Sequence, residues 1–85
     1  MKEFEYTITD ADGIHARPAG ELVKLCKEFK CDIKLMSGGK AGDCKKIFSL
    51  MSLGVKCGQN VTVTFKGEDE EEAYEKVSSF IKTNF

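Results

Sequence analysis

The sequence predicts an α+β fold, an open-faced β-sandwich in which a four-stranded antiparallel sheet carries three helices on one face in the order βαββαβα. Three observations lead there. Segments near both ends alternate apolar and polar residues, which gives a strand one buried face and one wet face, as antiparallel sheets allow. Other segments place apolar residues three and four apart, the stripe of a helix with one buried side. The 85 residues, 41% of them hydrophobic, match the size of one small domain, so residues 1–85 are expected to form a single one.

Along the chain, Phe4, Tyr6 and Ile8 alternate with Glu3, Glu5, Thr7 and Thr9, predicting a strand over about residues 2 to 9. From Ala16 to Phe29 the apolar residues Ala19, Leu22, Val23, Cys26 and Phe29 fall at helical spacing, with Glu21, Lys24, Lys27 and Glu28 mostly on the other side. Cys31, Ile33 and Leu35 alternate with Asp32 and Lys34. Ser37-Gly38-Gly39-Lys40 then supplies turn chemistry into a short third strand near Ala41. In KKIFSLMSLG, Ile47, Leu50 and Met51 mark a short helix with Gly54 near its C-cap. Val61, Val63 and Phe65 alternate with Thr62 and Thr64 as the last strand. After Gly67, Asp69 and Glu72 form a D-x-x-E capping-box candidate, Ala73, Val77, Phe80 and Ile81 share one helix face, and Glu72 and Lys76 are placed for an i, i+4 pair.

Thirteen Lys or Arg against fourteen Asp or Glu leave a net charge of −1, so charge-driven binding has to be local. The first residues, MKEFEYTITD, lack the apolar stretch of a signal peptide, and the longest near-apolar run, Ile47 to Val55, is too short to span a bilayer. A cytoplasmic protein without membrane insertion is expected. Cys26, Cys31, Cys44 and Cys57 are separated by four, twelve and twelve residues with no C-x-x-C pair. They read as reduced thiols acting as small apolar residues, with no metal and no cofactor expected.

The octapeptide GIHARPAG, residues 13 to 20, holds the only histidine, arginine and proline of the chain. Pro18 belongs to a first helical turn, fixing the helix start near Ala16 and leaving the amides of Ala16 and Arg17 without intrahelical partners beside His15. A phosphate suits that place. The helix end stabilises a nearby anion by ~0.3–1 kcal/mol, and charge-assisted bonds from Arg17 add about 1.5–3 kcal/mol. Ala16, Arg17 and Pro18 are the phosphate-binding candidates. His15 and Arg17 are the catalytic ones, since a neutral imidazole is a nucleophile toward a phosphoryl donor and the positive helix end disfavours imidazolium. On local physics alone, an anion site without chemistry, or a plain surface histidine, stands beside phosphoryl transfer.

GIHARPAG together with KKIFSLMSLG resembles the two signature segments of the HPr family, the histidine-containing phosphocarriers of the bacterial sugar phosphotransferase system, and the similarity spans essentially the whole chain. The family's sheet backed by three helices agrees with the element order read from periodicity. The resemblance implies that His15 accepts a phosphoryl group on Nδ1 from phosphorylated enzyme I, itself charged by phosphoenolpyruvate, and passes it to a IIA domain of a sugar permease. It implies further that Arg17 steadies the phosphate and that Ile47, Phe48 and Met51 form an exposed apolar docking patch for both partners. Such a protein is a stoichiometric carrier rather than a turnover enzyme, and a monomer is expected. The residues themselves leave the patch open to a core reading, but five apolar residues in one short helix exceed a single buried stripe, which leaves Leu50 and Leu53 as the core choices.

Two positions depart from the family pattern. Asp12 stands where a small neutral polar residue is common, either as a helix-start cap or turn residue or as a residue tuning transfer. Lys46 stands where many Gram-positive members carry a serine phosphorylated by a regulatory kinase; Ser49 and Ser52 do not match that register, which argues against that co-repressor function. Lys45 and Lys46 suit attraction to acidic partners or an ordinary solvated pair. The alternative functions are an HPr-like regulatory binding module without relay, which leaves His15 purposeless, and a nucleic-acid-binding domain. Thr7, Thr9, Thr62 and Thr64 offer the latter no stacking platform.

Overall fold

The computed structural model describes residues 1–85. Its elements follow the expected order: β1 (Lys2–Thr7), α1 (Ala16–Cys26), β2 (Asp32–Ser37), β3 (Lys40–Asp43), α2 (Ile47–Met51), β4 (Asn60–Lys66) and α3 (Glu70–Asn84). The sheet order is β1-β4-β2-β3, and every neighbouring pair is antiparallel. β4 is therefore an inner strand, with Val63 opposite Phe4 of β1 on one side and Leu35 of β2 on the other. Alternation does what the sequence requires: Phe4, Ile33, Leu35, Val61, Val63 and Phe65 are buried, while Glu3, Glu5, Asp32 and Lys34 are exposed. α1 buries Ala19, Leu22, Val23 and Cys26 and α3 buries Ala73, Val77 and Ile81 in the same hydrophobic cluster.

Several boundaries differ from the sequence expectation, each for a visible reason. β1 ends at Thr7 because the amides that follow leave the ladder. Ile8 N–H donates to Gln59 O (3.0 Å), and Thr9 and Asp10 N–H both donate to Phe85 O (2.6 and 2.8 Å). α1 stops at Cys26, although Phe29 is buried as its periodicity demanded. The last turn tightens, with Glu28 N–H donating to Leu25 O and Phe29 N–H to Cys26 O. The third strand, the least marked in sequence, is present. Ser37 pairs with Lys40 across Gly38 and Gly39, whose positive φ values of 56° and 81° suit the tight two-residue turn that matches strand twist.

The D-x-x-E pair does not form a capping box. Asp69 occupies the N-cap position of α3 without a side-chain capping bond; its carboxylate instead accepts Lys30 N–H (2.8 Å) and Cys31 N–H (2.9 Å) just before β2. The neighbouring Glu70 takes the Gly67 amide (3.1 Å) and a 3.0 Å ion pair with the Met1 amino group. Glu72 is exposed and makes no ion pair with Lys76. Phe80 is only half-buried, edge-on to Phe85, and Ser78 takes a buried place with its hydroxyl on Glu75 O.

Three cysteines behave as the small apolar residues expected. Cys26, Cys31 and Cys44 are buried; desolvation pushes the Cys31 thiol up to about 11, and the Cys44 thiol is raised by its contact with Cys26 and by burial. Cys57 differs: it is exposed, its Sγ 3.6 Å from Thr9 O.

The amides of Lys30 and then Cys31 hold the Asp69 carboxyl below its ordinary range. A carboxyl lowered on folding contributes stability that is complete above the unfolded value, about pH 4, and is lost as pH falls through the folded value. Urea unfolding of Asp69→Ala is expected to show its largest deficit against wild type at neutral pH and a shrinking one below about pH 4. A deficit independent of pH would mean that the charge of Asp69 plays no part.

Candidate functional site

The site is built on the turn between β1 and α1. Gly13 N–H donates to Asp10 O (2.9 Å), Asp12 N–H donates to the Asp10 Oδ1 (2.9 Å), and Ile14 N–H donates to Val55 O (3.0 Å). Gly13 has φ +66° and lies so close to the segment before β4 that a Cβ there would stand 2.4 Å from Val55 O and 2.8 Å from Lys56 Cα. Glycine is thus needed both for its dihedral and for its size. Ile14 is buried beside it, and the next residue, His15, becomes the N-cap of α1 with extended backbone (φ −109°, ψ 168°).

His15 O accepts the Ala19 amide (3.0 Å), the first bond of the helix, but the imidazole makes no capping bond and keeps 39% of its surface exposed. Pro18 is buried in the first turn, where its missing N–H costs nothing, while Ala16 and Arg17 are exposed. No hydrogen bond engages the amides of Ala16 and Arg17. Those unpaired donors belong to the first turn of the helix that His15 caps, whose positive end favours an anion.

The ring also has a neighbour that the sequence reading passed over. Asp10 Oδ2 lies 3.5 Å from His15 Nε2. The Asp10 carboxyl is held below its ordinary range by the Asp12 amide first and by His15 as well. The residue the sequence singled out, Asp12, is exposed and contributes its backbone N–H; it is a turn residue, and the N-cap is His15. The signal for Asp10 was the D-x-D spacing, since an Asp commonly accepts the amide two residues on. Asp10, Asp12 and His15 each bring a potential ligand atom within 4.8 Å of the others, a grouping the sequence reading did not contain. Three donors fall one short of a closed tetrahedral zinc set.

The family model described as "PTS HPr component phosphorylation site" matches residues 2–83. The chain belongs to the HPr family. It is 41% identical over 85 residues to the phosphocarrier protein HPr of Mycoplasma genitalium, covering 99% of this chain and 97% of that one. Among solved structures it superposes on a mycoplasma histidine-containing phosphocarrier protein with a TM-score of 0.94 at 30% identity, covering 96% and 93% of the two chains. It also resembles Crh of Bacillus subtilis, a catabolite-repression HPr solved as a domain-swapped dimer, with a TM-score of 0.78 at 36% identity over 98% and 95%. The HPr phosphocarriers are components of the phosphotransferase system, and the four-stranded sheet with three helices seen here is their fold.

Within this HPr frame α2 packs against α1, so the second signature segment adjoins the first. Phe48 is 86% exposed, the largest aromatic surface of the chain offered to solvent, with Ile47 and Met51 half-buried against the core. Leu50 is buried as expected; Leu53 is only half-buried, lying over Gly42, where a Cβ would come within 2.9 Å of its Cδ1. The two lysines part company. Lys45 is half-buried with Nζ donating to Phe29 O (2.7 Å), while Lys46 is exposed at the N-cap of α2. No helix is long and apolar enough to cross a membrane.

Gly13→Ala is expected to cost about 2–4 kcal/mol in urea unfolding, through the positive φ and the clash with Val55 O. Its amide spectrum should change most at Ile14, His15 and Val55.

Proposed function

We propose that this HPr-family protein carries a phosphoryl group on His15 Nδ1, taking it from phosphorylated enzyme I and delivering it to IIA domains of sugar permeases. The observation that supports this best is the position of the ring. Nε2 is turned toward Asp10, and Nδ1 has no hydrogen-bond partner at the start of a helix whose Ala16 and Arg17 amides are also unengaged. An incoming phosphoryl meets a nucleophilic nitrogen on one side and donors for its oxygens on the other.

In the transfer the Nδ1 lone pair forms a bond to phosphorus as the bond from phosphorus to the donor breaks, and the donor atom leaves with that electron pair. The Ala16 and Arg17 amides, preset by Pro18, receive the oxygens, and the Arg17 guanidinium neutralises part of their charge. Delivery reverses these steps. Ile47, Phe48 and Met51 give both partners one apolar surface beside the acceptor, and Lys46 favours acidic surroundings around it. The regulatory reading, a module acting without relay, draws support from the likeness to Crh alone.

Incubation with enzyme I and phosphoenolpyruvate is expected to yield one acid-labile phosphoryl adduct, absent from His15→Ala; an adduct surviving that substitution would place the acceptor elsewhere. Arg17→Ala is expected to slow uptake by about 10–100-fold, corresponding to ~1.4–2.8 kcal/mol, with unfolding curves unchanged. Phe48→Ala should raise the KM for enzyme I by about tenfold and leave kcat nearly unaltered, since docking rather than chemistry is removed.

A further inference from the structure

We propose that Asp10 is a positioning residue for phosphoryl uptake, its carboxylate keeping the proton of neutral His15 on Nε2 so that the lone pair stands on Nδ1. The inference rests on the reading of His15 as acceptor. It starts from how firmly Asp10 is placed. Its amide donates to Phe85 O (2.8 Å) and its Oδ1 accepts the Asp12 amide (2.9 Å), which leaves Oδ2 directed at the ring, 3.5 Å from Nε2. An ionised carboxylate offers only acceptors, so the ring nitrogen that faces it is favoured as the protonated one. A neutral imidazole has one N–H, and with that hydrogen on Nε2 the other nitrogen carries the nucleophilic pair. This is the service a carboxylate gives a histidine wherever one tautomer has to be held.

The same carboxylate acts during the step. As the Nδ1–P bond forms and the donor's bond to phosphorus breaks, the ring gains positive charge, shared with Nε2. The Nε2 hydrogen stays where it is, and the charge develops facing Asp10, with Asp12 as a second carboxylate nearby. At 3.5 Å the contact is longer than a formed N–H···O bond; it has room to shorten when the ring becomes cationic.

Asp10→Asn separates this role from a structural one. Asparagine keeps the Oδ1 acceptor for the Asp12 amide, and that bond turns its NH₂ group toward Nε2. Nε2 then becomes the acceptor and the proton moves to Nδ1, the nitrogen that has to attack. Asp10→Ser, which removes the charge and presents no NH₂ group, loses the bias without inverting it. A merely structural residue would rank the variants the other way, because asparagine preserves the turn better than serine.

The experiment uses the full chain labelled with ¹⁵N. Long-range ¹H–¹⁵N spectra above the ring's titration range read the tautomer, and potassium phosphoramidate, a small donor that needs no docking partner, reads the uptake rate. Wild type is expected to hold the proton on Nε2, and Asp10→Asn to shift it predominantly to Nδ1 with uptake slowed about tenfold. Asp10→Ser should fall between, slowed about threefold. Amide fingerprint spectra verify that each variant is folded. If Asp10→Asn keeps the wild-type tautomer and rate, or is faster than Asp10→Ser, the positioning role is overturned while the acceptor role stands. If wild type takes no phosphoryl group on His15, the acceptor reading itself fails, whatever the tautomer.

Discussion

The bond from Ile14 N–H to Val55 O, with Gly13 pressed against the same carbonyl, is the constraint on which the site depends. It clamps the turn after β1 to the segment leading into β4. Only with that turn seated does the chain reach the N-cap of α1 in extended conformation, with the imidazole outside the core and Pro18 inside the first turn. A side chain at position 13 would force the turn away from Val55 and carry His15 with it. The site is therefore positioned by backbone proximity rather than by side-chain contacts around the ring.

Two sources of charge then meet at one histidine. The helix end, with its unpaired Ala16 and Arg17 amides, favours negative charge on the solvent side, while Asp10 places a carboxylate 3.5 Å from Nε2. Their combination gives each nitrogen a different environment, which a phosphoryl acceptor requires because one nitrogen has to attack while the other carries hydrogen. α2, whose Phe48 stays open to solvent, packs against α1, the helix that His15 caps.

The fold was legible wherever burial enforces a period. Phe4, Val61, Val63, Phe65, Leu22 and Val77 stand where their spacing placed them, because one wrong step would expose an entire face. What escaped was decided by contacts between residues distant in sequence. Asp69 carried the pattern of a cap, yet the Lys30 and Cys31 amides, brought near by β2, compete successfully for its carboxylate. Ile8 and Thr9 read as a strand end, but Gln59 O and Phe85 O take their amides. In the candidate site, His15, Arg17 and Pro18 were legible because each residue type is unique in the chain and fits a helix start. Asp10 was not, since nothing local shows that a turn will fold its carboxylate back onto a ring five positions later. Lys45 likewise looked like a surface charge until Phe29 O took its ammonium.

The strand order carries a consequence for how the polypeptide assembles during synthesis. The β2–β3 hairpin closes locally, but β1 has no sheet partner other than β4, and β2 needs β4 along its other edge. A ribosome working from the amino terminus thus releases β1 long before the strand that fits it: the edge of β1 stays unpaired until about three-quarters of the chain has emerged, and its apolar face waits longer still for α3. Alternating glutamates in that segment, Glu3 and Glu5, keep the waiting strand hydrated and discourage pairing between neighbouring nascent copies.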